Sequence, residues 1–382
     1  MRVNIRPEMF KWARERAGMS VDALAAKFPR YAEWERGEAK PTLKQLEKFA
    51  DAAHVAFGSL FLDSPPEEYL PIPDFRTLHN RQLRHPSPDL FDMILICQQR
   101  QDWYRDHCVS EEYDDPLPFI GSVTRRQSVK QVAASIRETI GFDLKARSEC
   151  RTWEAALKHF ITAADEAGVL VMCSGIVRNN TRRKLKVEEF RGFTLADDIA
   201  PLIFINGSDT KSAQMFTLAH ELAHLWLGQS ALSTAHINRD EEQKIEQWCN
   251  AVAAEILVPL DVLRDEVNAG EPVGDAVKRL ARRFKVSALV ILRRLFDIGI
   301  ISRPDFRRLY DAELQRLTDL ADTRGGGNFY LSQATRLSRR FACALVENVL
   351  EGGTLHRDAL HLLGYKRLDT FDNLGRSLGY PI

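Results

Sequence analysis

Within the 382-residue chain, His220, Glu221 and His224 stand at the spacing H-E-x-x-H inside Phe216-Thr217-Leu218-Ala219-His220-Glu221-Leu222-Ala223-His224-Leu225-Trp226. That spacing does chemistry only on a helix, where residues four apart lie on one face, one turn above the other. The local composition predicts a helix over 212–227: Pro and Gly are missing, Ala, Leu and Met predominate, and Gly228 follows where a C-terminal glycine stops a helix. His220 and His224 then offer imidazole nitrogens to one divalent cation, and Glu221 reaches a water bound to it. The same five-residue pattern also arises when two core histidines flank a glutamate by chance. Met215, Phe216, Leu218, Ala219, Leu222, Ala223, Leu225, Trp226 and Leu227 make this helix apolar nearly all round and therefore central. A glutamate and two histidines in such surroundings are costly without a partner that neutralises them, and a metal is the usual one.

A tetrahedral catalytic zinc site has three protein ligands and one open position. In the stretch 241–259, Glu246, Asn250, Ala253 and Leu257 recur at helical spacing on one face, and its alanines allow close approach to the first helix. Glu246 is the candidate third ligand, with Glu255 as its competitor; Glu241 and Glu242 read as a solvated helix start. Asn250, one turn beyond Glu246, is placed to hydrogen-bond a ligand histidine. Zinc is the expected ion, with manganese as the alternative.

H-E-L-A-H followed by I-E-Q-W-C-N-A-V-A-A-E-I-L-V-P resembles the ImmA/IrrE family of metallo-endopeptidases, whose pattern is H-E-x-x-H and then E-x-x-A-N-x-F-A-x-x-L-L-x-P. The chain departs from it at Cys249 and Val252, both packing positions. The resemblance implies a zincin-like domain with His220, His224 and Glu246 as metal ligands and Glu221 as general base. It also implies a protein or peptide substrate, one specific regulator rather than bulk protein. His236, between the two ligand helices, is the candidate donor to the oxyanion. In zincins a sheet edge beside the metal binds substrate as an added strand, and the Phe190 to Thr194 region is the candidate edge.

The elements that must position these residues divide the chain into five expected parts. Residues 1–62 form a helical module in which Pro7 begins a helix, Gly18 ends it, and Ser20 caps a second. Trp34-Glu35-Arg36-Gly37 with Lys40-Pro41-Thr42 resembles the end of the recognition helix of XRE-type helix-turn-helix domains, which implies DNA contacts from Tyr31, Trp34, Arg36 and Lys40. The stretch from Leu24 to Trp34 is shorter than that family's usual spacing, and the module has only eleven Lys and Arg against eight Asp and Glu.

Residues 63–127 are expected to be a Pro-rich linker, Asp63 to Arg76, and a long helix from Pro88 to His107, where His107 and Cys108 serve capping or core roles. Residues 128–270 are the expected metallopeptidase domain, with helices over 129–140 and 152–167, strands over 168–173, 189–194 and 202–205, then the two ligand helices. Residues 271–302 form a second helix-turn-helix-like pair whose Arg282, Arg283, Arg293 and Arg294 compete between phosphate contacts and packing under the catalytic domain. Residues 303–382 form a helical C-terminal region interrupted at Arg324-Gly325-Gly326-Gly327-Asn328, read as a hinge. The expected fold class is mainly α with a small mixed sheet (α+β).

Lys plus Arg (53) equals Asp plus Glu (53), so no global field points to nucleic acid or membrane. No run of eighteen apolar residues is present, and the first residues lack a signal-peptide core, which predicts a soluble, cytoplasmic protein. Six scattered cysteines without C-x-x-C read as reduced core residues. A helix-turn-helix module fused to such a peptidase domain also occurs in toxin-antitoxin arrangements. DNA and a cognate toxin are therefore expected partners. The alternative function is a non-catalytic DNA-binding regulator or antitoxin using the metal domain for sensing or docking.

Overall fold

A computed structural model describes residues 2–66, 86–233, 240–321 and 336–381 of the chain. These form two compact units, one from the described residues up to Ile94 and one from Leu95 onward. As expected, the protein is mainly helical with a small mixed sheet.

The first unit packs α1 (Pro7–Arg16), α2 (Val21–Ala25), α3 (Tyr31–Glu35), α4 (Leu43–Ala53) and a 3-10 turn (Phe57–Phe61) around Phe10, Leu24, Tyr31, Trp34, Leu46 and Phe49. Local signals set its boundaries. Pro7 opens α1, the Ser20 hydroxyl accepts from Ala23 N at 3.1 Å, and Thr42 with Gln45 closes a reciprocal capping box on α4.

The second unit takes in most of α5 (Pro88–Ser110), then α6 (Val129–Thr139), α7 (Leu144–Glu149) and α8 (Trp153–Glu166). Strands β1 (Leu170–Ser174), β2 (Gly192–Leu195) and β3 (Leu202–Asn206) follow, then α9 (Lys211–Trp226), β4 (Ala231–Ser233) and α10 (Asp240–Leu257). The sheet order is β1-β3-β2-β4, with β1 and β3 parallel and the other pairs antiparallel. β2 therefore lies inside the sheet, paired to β3 through Thr194 and Ile203 and to β4 through Thr194 and Ala231. This corrects the expected substrate edge at Phe190 to Thr194: both sides of that strand are already taken. It is also shorter than expected, because Glu189 N and Phe190 N turn back to the Lys186 carbonyl. β4 was not foreseen and, with β1, is one of the two outer strands among the described residues.

α9 lies against β2 and β3, with α8 and α10 packed on it as well. Its end is closed by chain rather than water: Gly121 N and Val123 N donate to the Leu225 and Trp226 carbonyls at 3.1 Å each, and Trp226 stacks on Phe119. Gly228 has φ +67°, and a Cβ there would sit 2.9 Å from the Gly121 Cα, so a glycine is required by both conformation and space.

α10 is held at its C-terminus by three guanidinium groups from three other helices. Arg137 of α6 donates to the Glu255 carbonyl at 2.7 Å, Arg147 of α7 to that of Leu257, and Arg294 to that of Val258 at 2.8 Å. Cations at carbonyls left open by a helix end are favourable to the helix dipole. Arg294 comes from the helix pair α12 (Val273–Phe284) and α13 (Ala288–Asp297), which follows α11 (Leu260–Glu266) and shares one hydrophobic core with α9 through Leu280, Ile291 and Leu295.

The chain continues through α14 (Arg303–Ala321) to α15 (Arg339–Leu350), α16 (His356–Leu363) and α17 (Leu368–Leu378). Ser338 Oγ and Arg340 N both donate to the buried Asp165 of α8, and Cys173 N on the outer side of β1 donates to the Arg336 carbonyl at 3.3 Å. The C-terminal helices are thereby tied to α8 and β1. The expected Gly-rich hinge at 324–328 and the linker beyond Pro66 lie outside the described residues. All six cysteines are free thiols. No helix among the described residues is long and apolar enough to cross a membrane.

Arg294 also forms a buried ion pair with Glu255, each side chain 6 % exposed. Removing one partner of such a pair strands a buried charge. Arg294→Met is expected to lower unfolding free energy by about 3–5 kcal/mol in urea titrations followed by tryptophan fluorescence. The double variant with Glu255→Leu should recover most of that loss.

Candidate metal centre

α9 presents His220 and His224 one turn apart on the face toward α10, and α10 presents Glu246 between them. His220 Nε2 lies 3.0 Å from Glu246 Oε2, His224 Nε2 lies 3.2 Å from Glu246 Oε1, and the two Nε2 atoms are 3.0 Å apart. Among the described residues, this trio is the one group of His, Cys, Asp and Glu side chains whose ligand atoms converge, all within 4.8 Å of one another. All three are buried.

Asn250 Oδ1 accepts from His220 Nδ1 at 3.1 Å, which leaves the lone pair of Nε2 directed into the centre. Asn250 itself is solvent-exposed, so it marks the water-facing side of the site.

The donor set fits a divalent cation. Two atoms each about 2.0–2.1 Å from one tetrahedral zinc ion lie about 3.3 Å apart, and the separations of 3.0 to 3.2 Å are close to that value. Two nitrogens and two carboxylate oxygens facing one another in a dry pocket hold too few protons to satisfy all four, and a cation satisfies them together.

The electrostatics agree. Burial works to raise Glu246, yet the facing His220 and His224 hold its carboxyl well below the usual carboxylate range. For His220, burial works against the imidazolium, but the charge and hydrogen bond of Glu246, with the charge of Glu221, raise it above its ordinary value. Cys249, three residues beyond Glu246, is buried, its thiol is pushed well above its ordinary value, first by burial and then by Glu246 and Glu221, and it is not among the side chains whose ligand atoms converge.

Glu221 is fully buried, and its Oε2 accepts from Thr194 Oγ1 at 2.7 Å. Thr194 is a site residue that the sequence reading did not name. The available signal was a polar side chain two residues after Gly192 on an otherwise apolar strand, which puts both on one face of β2.

The other candidates separate clearly. Glu255, the competitor for third ligand, is turned away and committed to Arg294. His236, the candidate oxyanion donor, lies outside the described residues. His107 stacks on Trp103 with ring centroids 5.3 Å apart, in keeping with a packing role.

Two of the expected DNA contacts are corrected. Tyr31 and Trp34 are 0 % and 2 % exposed in the core of the first unit, with the Tyr31 hydroxyl donating to the Phe10 carbonyl at 3.0 Å, so neither reaches a nucleic acid. Arg36 is exposed but pairs with Glu38, and Lys40 is exposed. In the second helix pair, Arg294 is buried on Val258 and Glu255, Arg283 pairs with Glu266 and Arg293 with Asp297. Of the two readings for that pair, packing describes Arg294.

Residues 164–296 match the model of the IrrE N-terminal-like domain, a peptidase family, and residues 337–377 match a domain of unknown function. The radiation response metalloprotease IrrE of Deinococcus radiodurans is 39 % identical over 101 residues, covering 25 % of this chain and 31 % of that protein. The protein of the same description from Deinococcus deserti is 40 % identical over 101 residues, covering 25 % of this chain and 36 % of its own length. The chain thus spans about a third of the length of these relatives.

Replacing Asn250 by Ala frees the His220 ring to turn and is expected to weaken zinc affinity about 10- to 100-fold in a chelator competition. In wild type the affinity should fall as pH is lowered, because His220 must give up its proton to bind a cation. With its pKa raised, the fall begins above the ordinary histidine value of about 6.5.

Proposed function

We propose that the second unit is a zinc-dependent endopeptidase in which His220, His224 and Glu246 hold the ion and Glu221 is the general base, with manganese as the alternative ion. The observation that carries this reading is the buried convergence of two Nε2 atoms and one carboxylate from a helix bearing H-E-x-x-H, within a stretch that matches a peptidase family. A bound zinc would polarise the scissile carbonyl and make a water acidic enough to attack near neutral pH.

The remaining steps belong to the chain. Glu221 accepts the proton of the attacking water on a carboxylate oxygen and delivers it to the leaving amine, which balances the hydrolysis without another acid. Asn250 holds His220, and thereby the metal, through Nδ1. The apolar shell of Leu218, Leu222 and Trp226 keeps bulk water from the back of the site. β4, the outer strand beside β2, replaces the Phe190 to Thr194 stretch as the edge on which an extended peptide adds its backbone hydrogen bonds.

The substrate is proposed to be one regulatory protein, cleaved to change transcription in a stress or toxin response. The naming of the two relatives for a radiation response supports that class. The first unit is proposed to be a helix-turn-helix module. Arg36 and Lys40 remain its candidate DNA contacts, and a cognate toxin is a further candidate partner. The protein is proposed to act in the cytoplasm.

Incubating the zinc-loaded chain with a proteome-derived peptide library and counting new N-termini tests the reading. Cleavage by wild type and its loss in Glu221→Gln, by at least about 10²-fold, is the expected result. Equal cleavage by the two would remove Glu221 as base.

A further inference from the structure

The geometry points to Thr194 as a positioning residue that, with the bare α-carbon of Gly192, sets the orientation of the Glu221 carboxylate. This rests on the peptidase reading for its catalytic consequence, though not for the contact itself. Three observations carry it.

First, the Thr194 hydroxyl is fully buried and has one proton to give. It lies 2.7 Å from Glu221 Oε2 and 3.3 Å from the Glu221 carbonyl, so the carboxylate is the better acceptor. A hydrogen bond from a buried hydroxyl to a carboxylate is charge-assisted and short, and it fixes the rotation of the group that accepts it.

Second, Thr194 does not sit on a loop. Its backbone is in the interior of the sheet, in register with Ile203 of β3 on one side and Ala231 of β4 on the other. A hydroxyl on an element paired on both sides holds its target more tightly than one on a free segment.

Third, β2 approaches α9 so closely at Gly192 that a Cβ there would stand 2.6 Å from Thr217 Cγ2, 2.8 Å from the Phe204 carbonyl and 3.0 Å from Glu221 Oε1. Two of these three obstacles cannot yield cheaply, since one is β3 backbone and the other is a β-branched side chain on α9. A side chain at 192 would push the strand off the helix and displace the carboxylate that Thr194 holds. Gly192 and Thr194, two apart and on one face of β2, thus form a floor and a tether for the base.

The strand that the sequence suggested as a substrate edge has this other task. The carboxylate that must meet an attacking water is fully buried, and the Thr194 hydroxyl is one of the groups that fix its rotamer. A displacement of about 1 Å at such a group costs on the order of 10²-fold in rate.

The test compares Thr194→Val, which keeps the shape and removes the hydroxyl, with Thr194→Ser, which keeps the hydroxyl. In the metal-free full-length chain, the infrared difference spectrum between wild type and Thr194→Val is expected to show a shifted carboxylate antisymmetric stretch. That shift should vanish when both chains also carry Glu221→Gln. In the zinc-loaded chain, acting on the best-cleaved peptide of the library, Thr194→Val should lower kcat about 10²-fold with KM and zinc affinity unchanged, and Thr194→Ser should restore it to within a few-fold.

A difference band that persists with Glu221→Gln, or no band, would overturn the contact. Unchanged kcat in Thr194→Val, or a Thr194→Ser variant as slow as Thr194→Val, would overturn the positioning role. If wild type cleaves nothing, the peptidase reading fails while the infrared comparison still decides whether Thr194 holds Glu221.

Discussion

The structure depends on one constraint: Glu246 must remain an ionised carboxylate at 2 % exposure, and it does so because two imidazoles face it at 3.0 and 3.2 Å. A lone carboxylate in that position would cost several kcal/mol or take up a proton. Two histidines on one helix satisfy it only if α9 and α10 meet at a fixed rotation and height. Much of the second unit can be understood as the means of fixing them. Alanines at 253 and 254 bring α10 close, Gly121 and Val123 close the end of α9, and Arg137, Arg147 and Arg294 hold the end of α10. The helix pair that contributes Arg294 is bound into the same core, so this structural cation lies far along the chain from the residue whose helix it anchors.

The same burial that raises the cost of the site gives it its chemistry. In a dry pocket the electrostatic interactions among Glu246, His220 and Glu221 are strong, which is why the His220 imidazole is raised and the Glu246 carboxyl depressed. Both shifts describe a centre with an excess of negative character for its volume, a property that recruits a cation. The same burial, with the charges of Glu246 and Glu221, pushes the Cys249 thiol well above its ordinary value.

The helix α9 was legible in the sequence because it is apolar nearly all round His220, Glu221 and His224, and α10 because Glu246, Asn250, Ala253 and Leu257 recur at helical spacing on one face. Gly228 and Ser20 were legible as a stop and a cap for the same local reasons. Sheet order was not, since β2 and β3 are short apolar runs and nothing in Gly192 to Leu195 says how many neighbours the strand has. The three-residue β4 falls below any period. Thr194 was hidden with it, as its meaning comes from α9 across the interface. Tyr31 and Trp34 misled for a different reason: the motif that suggested them identifies a helix end, whereas the five-residue α3 turns both rings into the core. Glu246 was preferred to Glu255 from the sequence pattern alone, and the structure adds the reason that Glu255 is elsewhere engaged: Arg294, thirty-nine residues further on, takes it.

The central claim is that His220, His224 and Glu246 together make a site for one divalent ion. Elemental analysis of the purified chain, supplied with zinc and then dialysed, tests it most directly beside a His220→Ala variant. The account predicts about one zinc per wild-type chain and none in the variant. A wild-type chain that stays empty after zinc is supplied, or a variant that binds as much as wild type, would contradict it.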